Sequence, residues 1–174
     1  MDINILPVGY LQANCYILKK EKECIIIDPG DEKNKIIKEI KDSKPIAIIT
    51  THNHFDHVGA LKALQEYYQI PTYNIENLEE KEYQFGSFKF EIIYTKGHAD
   101  TCITIYFKQE KVMFTGDFLF KDSIGRIDLD TSNEKDMNIS LKKIKQYPDD
   151  ITIYPGHGES TNLGYEKKNN IFLR

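Results

Sequence analysis

The chain has 174 residues, of which 40% are hydrophobic, 29% charged and 11% aromatic, and its formal net charge is −4. That length supports one domain with a core of its own and no disulfide staples, and the recurring Ile, Val, Leu and Phe exclude disorder as the main state. No apolar run approaches the roughly 20 residues of a membrane span. Acids and lysines alternate, as in Lys19-Lys20-Glu21-Lys22-Glu23, without the clustered cations that duplex binding needs.

The first residues, Met1-Asp2-Ile3-Asn4, carry neither a basic n-region nor a long apolar stretch, so no signal peptide is expected. Three cysteines, Cys15, Cys24 and Cys102, occur without a CxxC pair, which points to reduced, buried thiols and a cytoplasmic setting. No nucleic-acid or membrane partner is expected.

Apolar patterning predicts strands over Ile3–Val8, Asn14–Leu18 and Cys24–Ile27. A hairpin turning through Lys19–Glu23 would set Cys24 opposite about Leu18, away from Cys15. Asp28-Pro29-Gly30 reads as a turn, and Asp28 as a turn residue. Lys33–Lys41 shows Ile36, Ile37 and Ile40 at helical spacing. Lys44-Pro45 ends that helix before a buried strand over Ile46–Thr50. A helix is predicted over Val58–Tyr68, then strands over Phe85–Thr95, Ile103–Phe107 and Lys111–Thr115. Ser132–Gln146 is predicted as an amphipathic helix with Met137, Leu141 and Ile144 inward, followed by a strand over Ile151–Tyr154. Strands interspersed with helices imply two sheets covered by outer helices, a layered α/β architecture.

All five histidines, His52, His54, His57, His98 and His157, fall in polar segments after predicted strands. The densest run is Thr51-His52-Asn53-His54-Phe55-Asp56-His57. In extended chain, residues two apart share a face, so His52, His54 and Asp56 project together, and the turn into the next helix swings His57 inward. Imidazole with carboxylate and no thiolate suits zinc, iron or manganese in an open rather than a closed structural site. His98 in Gly97-His98, Asp117 in Gly116-Asp117 and His157 in Pro155-Gly156-His157-Gly158 bring the donors to seven. Seven divide as three plus three with one shared, the pattern of a two-metal site.

The run His52-x-His54-x-Asp56-His57, with Gly97-His98, Gly116-Asp117 and Pro155-Gly156-His157-Gly158 after it, resembles the metallo-β-lactamase superfamily in order and spacing. The resemblance spans nearly the whole chain and implies a four-layer αβ/βα sandwich of two mixed sheets with outer helices, in one domain over residues 1–174. Asn14-Cys15-Tyr16, Ser123-Ile124-Gly125-Arg126-Ile127-Asp128 and the tail from Leu163-Gly164-Tyr165-Glu166 to Leu173 look most like the glyoxalase II-like (hydroxyacylglutathione hydrolase-like) hydrolases. That similarity implies one ion held by His52, His54 and His98, a second by Asp56, His57 and His157, and Asp117 between them. The implied cofactors are two divalent ions, zinc first, with iron or manganese also matching the donors. The implied catalytic residues are Asp56 and Asp117.

The chain departs from that pattern in Ala99-Asp100-Thr101-Cys102, where relatives carry Thr-Pro-Gly-Ser, and in Asp130-Thr131-Ser132-Asn133, where they carry Pro-Gly-Gly-Asp. The stretch from Pro71 to Gly86 is short, which would leave the site more open. No separate C-terminal helical substrate domain is expected. The implied activity is hydrolysis of a small-molecule thioester by hydroxide held between the two ions. Arg126 is either a substrate-binding group that forks onto a carboxylate or a loop-capping surface residue. Cys102 is expected to pack inside its strand, and Tyr10 and Tyr165 are candidates for the pocket's border. Two alternatives stand beside hydrolysis. One is a mononuclear iron persulfide dioxygenase using His52, His98 and Asp117, and the other is a non-catalytic metal-binding protein.

Overall fold

Strand β1 (Asp2–Val8) pairs antiparallel with β2 (Ala13–Lys20), and β2 pairs likewise with β3 (Glu23–Ile27). Helix α1 (Lys33–Ile40) then carries the chain to β4 (Lys44–Ile49), which lies parallel to β3. Helices α2 (Phe55–Val58) and α3 (Leu61–Tyr68) precede β5 (Thr72–Tyr73), closing a five-stranded sheet in the order β1-β2-β3-β4-β5. The computed structural model describes residues 1–174.

The second half builds a six-stranded sheet from β6 (Glu82–Phe85), β7 (Phe88–Tyr94), β8 (Ile103–Phe107) and β9 (Val112–Gly116), completed by β12 (Thr152–Pro155) and β13 (Thr161–Asn162). A small ribbon, β10 (Leu119–Phe120) with β11 (Ser123–Ile124), follows β9. Helix α4 (Glu134–Ile144) comes before β12, and α5 (Leu163–Asn169) comes last. Both large sheets are mixed, since β3/β4/β5 and β9/β12 run parallel while the other pairs run antiparallel.

The two-residue period of the strands sorts side chains into layers. Tyr16, Leu18, Ile25, Ile27 and Ile49 of the first sheet meet Phe88, Phe90, Ile105, Phe107 and Phe114 of the second in one central cluster. The alternate residues Ile17, Ile26 and Ile48 turn the other way, against Ile36 and Ile40 of α1 and Leu64 of α3. Met113 and Ile153 face Met137, Leu141 and Ile144 of α4. Strands buried on both faces read as continuous apolar runs for this reason. The result is the four-layer αβ/βα sandwich expected from the sequence.

Four local expectations change. The single strand over Phe85–Thr95 is a hairpin, because Gly86 adopts φ 52° and Phe85 pairs with Phe88 across the Gly86-Ser87 turn. The helix over Val58–Tyr68 divides at Gly59-Ala60. A Cβ on Gly59 would lie 2.2 Å from the Gly30 carbonyl, and the Ala60 amide donates to Pro29 O at 2.9 Å. The Pro29-Gly30 loop thus breaks the helical ladder. The β2–β3 turn is tighter than expected, so Cys24 faces Lys19 rather than Leu18. All three cysteines are free and buried, and Cys102 sits just ahead of β8 rather than within it.

Candidate metal centre

Strand β4 ends at Ile49, and the run that follows emerges at the rim of the two sheets. His54 is the extended N-cap of α2, with φ −66° and ψ 145°, so Asp56 and His57 fall in the helix's first turn behind it. Asp117 leaves the end of β9 and His157 the end of β12, two parallel neighbours in the second sheet.

These loops bring all seven predicted donors to one point. His54 Nδ1 and His98 Nε2 lie 2.9 Å apart. His157 Nε2 is 3.1 Å from Asp56 Oδ2, and His57 Nε2 is 3.6 Å from the same oxygen. Asp117 stands between the two groups. Its Oδ1 is 3.3 Å from His57 Nε2, and its Oδ2 is 3.5, 3.6 and 4.0 Å from the Nε2 atoms of His157, His98 and His52. Three compact groups result: His52/His54/His98 and Asp56/His57/His157 on either side of Asp117, and the fully buried Asp28/His52/His57.

Each histidine is held by its rear nitrogen. His57 Nδ1 is 3.0 Å from Asp28 Oδ2, His98 Nδ1 3.0 Å from the Arg126 carbonyl, and His157 Nδ1 3.1 Å from the Leu11 carbonyl. Thr51 Oγ1 donates to Asp28 Oδ2 at 2.6 Å and so accepts from His52 Nδ1 at 3.1 Å. His54 uses Nε2 toward Thr131 Oγ1 at 3.3 Å, leaving Nδ1 inward. Such rear acceptors fix tautomer and ring orientation in metal-ligating histidines.

Three of the inward atoms lack partners. His52 Nε2, His57 Nε2 and Asp117 Oδ1 are buried without a hydrogen bond, and each such orphan costs about 1–3 kcal/mol. Lone pairs and a carboxylate oxygen converging in one buried place suit a cation. The donor set therefore fits divalent metal.

Electrostatics follow this crowding. Burial, then the neighbouring imidazoles, pull His52 well below its ordinary value. Burial also lowers His57, but Asp28 and Asp117 outweigh it and push the group up to about 10. The hydrogen bond to Asp56 raises His157. Burial alone would raise Asp56, yet the bond from His157 and the charge of His57 bring it below its ordinary value.

Asp28 is more than the turn residue that the sequence suggested. It is buried, at φ 51°, and accepts from the Thr51 amide as well as from Thr51 Oγ1 and His57. The clue lay in register: Ile27 pairs with Ile49 across parallel β3 and β4, so the residue after one strand abuts the donor run after the other. Asn14 Nδ2 donates to Pro155 O at 3.1 Å and to Gly158 O at 3.0 Å, and Tyr16 Oη donates to Pro155 O at 2.5 Å. The Asn14-Cys15-Tyr16 motif thereby clamps the loop that carries His157.

Arg126 lines the cleft with its side chain mostly in solvent, and its Nε and Nη2 both reach Asp128 at 2.9 Å. Leu11, Phe55 and Leu129 complete the lining. Tyr10 borders an adjoining hollow, whereas Tyr165 lines neither. Burial pushes the Cys102 thiol up to about 12, so it is unreactive at neutral pH.

Comparison with known proteins adds lineage to this geometry. A family model described as the metallo-beta-lactamase superfamily matches residues 8–81 and 74–157. Hydroxyacylglutathione hydrolase GloC of Haemophilus influenzae is 33% identical over 208 residues, covering 99% of this chain and 98% of GloC. The BLEG-1 B3 metallo-beta-lactamase superposes with a TM-score of 0.95 at 31% identity, over 99% of both chains. TTHA1623, solved in a di-iron-bound form, gives 0.89 at 32% identity, over 98% of this chain and 100% of its own.

Proposed function

The chain belongs to the metallo-β-lactamase superfamily, and on that premise we propose that it is a hydrolase that cleaves a thioester at a two-ion centre. The observation that carries this reading is the pair of triads sharing Asp117, with three buried inward atoms left unsatisfied. The likeness to GloC supports a thioester substrate, and the di-iron form of TTHA1623 supports two ions.

His52, His54 and His98 would hold one ion, Asp56, His57 and His157 the other, with Asp117 common to both. Two divalent ions supply Lewis acidity and a water whose pKa falls towards roughly 7, a nucleophile at neutral pH. The chain's own task is to present donors that need no rearrangement, and the rear hydrogen bonds of all five histidines do this. Thr51 couples His52 to Asp28, so a single carboxylate steadies a ligand of each triad. Asp56 lines the cleft, where its first task would be ligation and its second the transient uptake of a proton. In the overall step water adds to the acyl carbon, the C–S bond breaks, and a carboxylic acid and a thiol leave.

The test is elemental analysis of purified protein coupled to a hydrolysis screen of thioesters including S-lactoylglutathione, with β-lactam and phosphodiester arms. Two ions per chain with thioester turnover is the expected result. One iron per chain with oxygen uptake, or preferential β-lactam turnover, would overturn it.

A further inference from the structure

The tail from Leu163 to Leu173 contributes no donor to the metal centre, yet it buries a carboxylate. Glu166 of α5 is 0% exposed. Its Oε2 accepts from the Asp122 amide and from Asn170 Nδ2, both at 2.9 Å, and its Oε1 accepts from Thr161 Oγ1 at 2.5 Å. Three donors and no cation meet it, and a carboxylate is costly to bury unless its acceptors are needed where they stand. Asn170, also buried, donates to Ser123 O at 3.0 Å.

Asp122 and Ser123 lie at the turn end of the β10–β11 ribbon, so α5 grips that turn by a main-chain N–H and a main-chain carbonyl. Phe118 and Leu119 also share one apolar cluster with Leu163 and Leu173 of the tail. A ribbon of two residues per strand is marginal alone, and this grip gives it a single position. Its other end is at the donors, since it starts just after Asp117 and runs into Gly125 and Arg126. A Cβ on Gly125 would lie 1.8 Å from Asp117 O and 3.0 Å from His98 Cβ. The Arg126 carbonyl stands 3.0 Å behind His98 Nδ1. Ser132 Oγ is nearer to His98 O, at 2.7 Å, than to that carbonyl, at 3.2 Å, so its one proton goes to His98 O.

We propose that Glu166 and Asn170 are positioning residues of the metal centre: by fixing the β10–β11 ribbon they place the Arg126 carbonyl, and through it the His98 imidazole of the first triad. The second triad does not depend on them, because His57 leans on Asp28 and His157 on the Leu11 carbonyl. This rests on the two-ion reading above and deepens it. One of the two ions is governed from a helix that lines no part of the cleft.

Glu166→Ala, Asn170→Ala and Glu166→Gln test this by two readouts. The first is cobalt(II) titration of metal-stripped protein, followed by calorimetry and by the visible absorption of the bound ions. Wild type should take up two ions, and each alanine variant should keep one unchanged while binding the other about tenfold or more weakly. Glutamine can keep its oxygen on Asp122 and Asn170 and turn its amide to Thr161, whose hydroxyl also accepts, so Glu166→Gln should restore most of that affinity. The second readout is the His98 Nδ1 proton in NMR of the metal-free protein, which the Arg126 carbonyl should protect in wild type and in Glu166→Gln but not in the alanine variants. Should Glu166→Ala fail to fold, Asn170→Ala, which leaves the carboxylate in place, carries both readouts. Unchanged affinity at both ions, equal loss at both, or an unchanged His98 proton overturns the proposal. A wild type that takes up one ion per chain overturns the two-ion reading instead, and the His98 proton alone then decides the role of α5.

Discussion

Asp28 lies 29 residues before His57, yet its Oδ2 sits 3.0 Å from His57 Nδ1, while its Oδ1 takes the Thr51 amide at 2.6 Å. One buried carboxylate thus orients a ligand and anchors the loop that bears the others. Asp28→Asn keeps the shape and tolerates the positive φ, but it removes the charge behind the imidazole. Loss of such a support weakens metal affinity about 10–100-fold. Competition titration with a chromophoric chelator would show it, and unchanged affinity at both ions would refute the role.

His54→Ala and Asp117→Ala should each abolish turnover, with different metal contents. His54 belongs to one triad, so its loss should remove about one ion per chain by elemental analysis. Asp117 faces both triads, so its loss should lower both. Near-normal activity in either variant ends the two-ion assignment.

Metal uptake should release protons and strengthen as pH rises. In metal-free protein His57, pushed up to about 10, holds a proton at neutral pH, and the hydrogen bond to Asp56 favours the protonated form of His157 as well, whereas ligation requires the neutral imidazole. His52, far below its ordinary value, has none to give. Apparent affinity should therefore climb between pH 6 and pH 9 as those protons become easier to displace. Calorimetry in two buffers of different ionisation enthalpy measures the release, and identical heats in both would contradict it. The raised His57 also stabilises the metal-free fold below its ordinary value of 6.5, a contribution lost as pH rises through about 10.

Gly156→Ala should damage the centre more than the fold. An added Cβ would stand 2.1 Å from Asp117 Oδ1 and 2.8 Å from His57 Cε1, so one side chain or both must move. Metal stoichiometry should drop while the thermal midpoint of the metal-stripped protein changes little. A fully loaded, active Gly156→Ala protein would show that the loop yields instead.

Phe114→Ala tests the opposite case. Its ring packs against Tyr16 at 4.9 Å and Tyr154 at 5.2 Å between the sheets, touching no donor. The cavity should cost about 3–5 kcal/mol of stability, read by denaturant unfolding, with two ions still bound in the folded fraction. A cost below about 1 kcal/mol would mean that the sheets close the gap.

Much of this was legible in the residues. The strands showed because both faces of the inner ones are buried, and His52, His54 and Asp56 could be grouped because alternate residues of an extended chain share a side. Other features had no local signature. The carbonyls of Leu11 and Arg126 that hold His157 and His98 are main-chain atoms that any residue supplies. The role of Asp28 depended on the pairing of β3 with β4, a long-range fact. Strands of two residues, such as β5 and β10, are too short to show a period. The helix break at Gly59 arises from a contact with Gly30, in the loop that follows the neighbouring parallel strand β3.

Each triad straddles the two halves of the chain: His98 and His157 complete pairs that β4's loop begins. Neither half alone owns a full set of donors. A protein nicked in the exposed Glu79–Lys81 turn would regain tight ion capture only after its pieces reassociated, so chelation itself would report that the sandwich has closed.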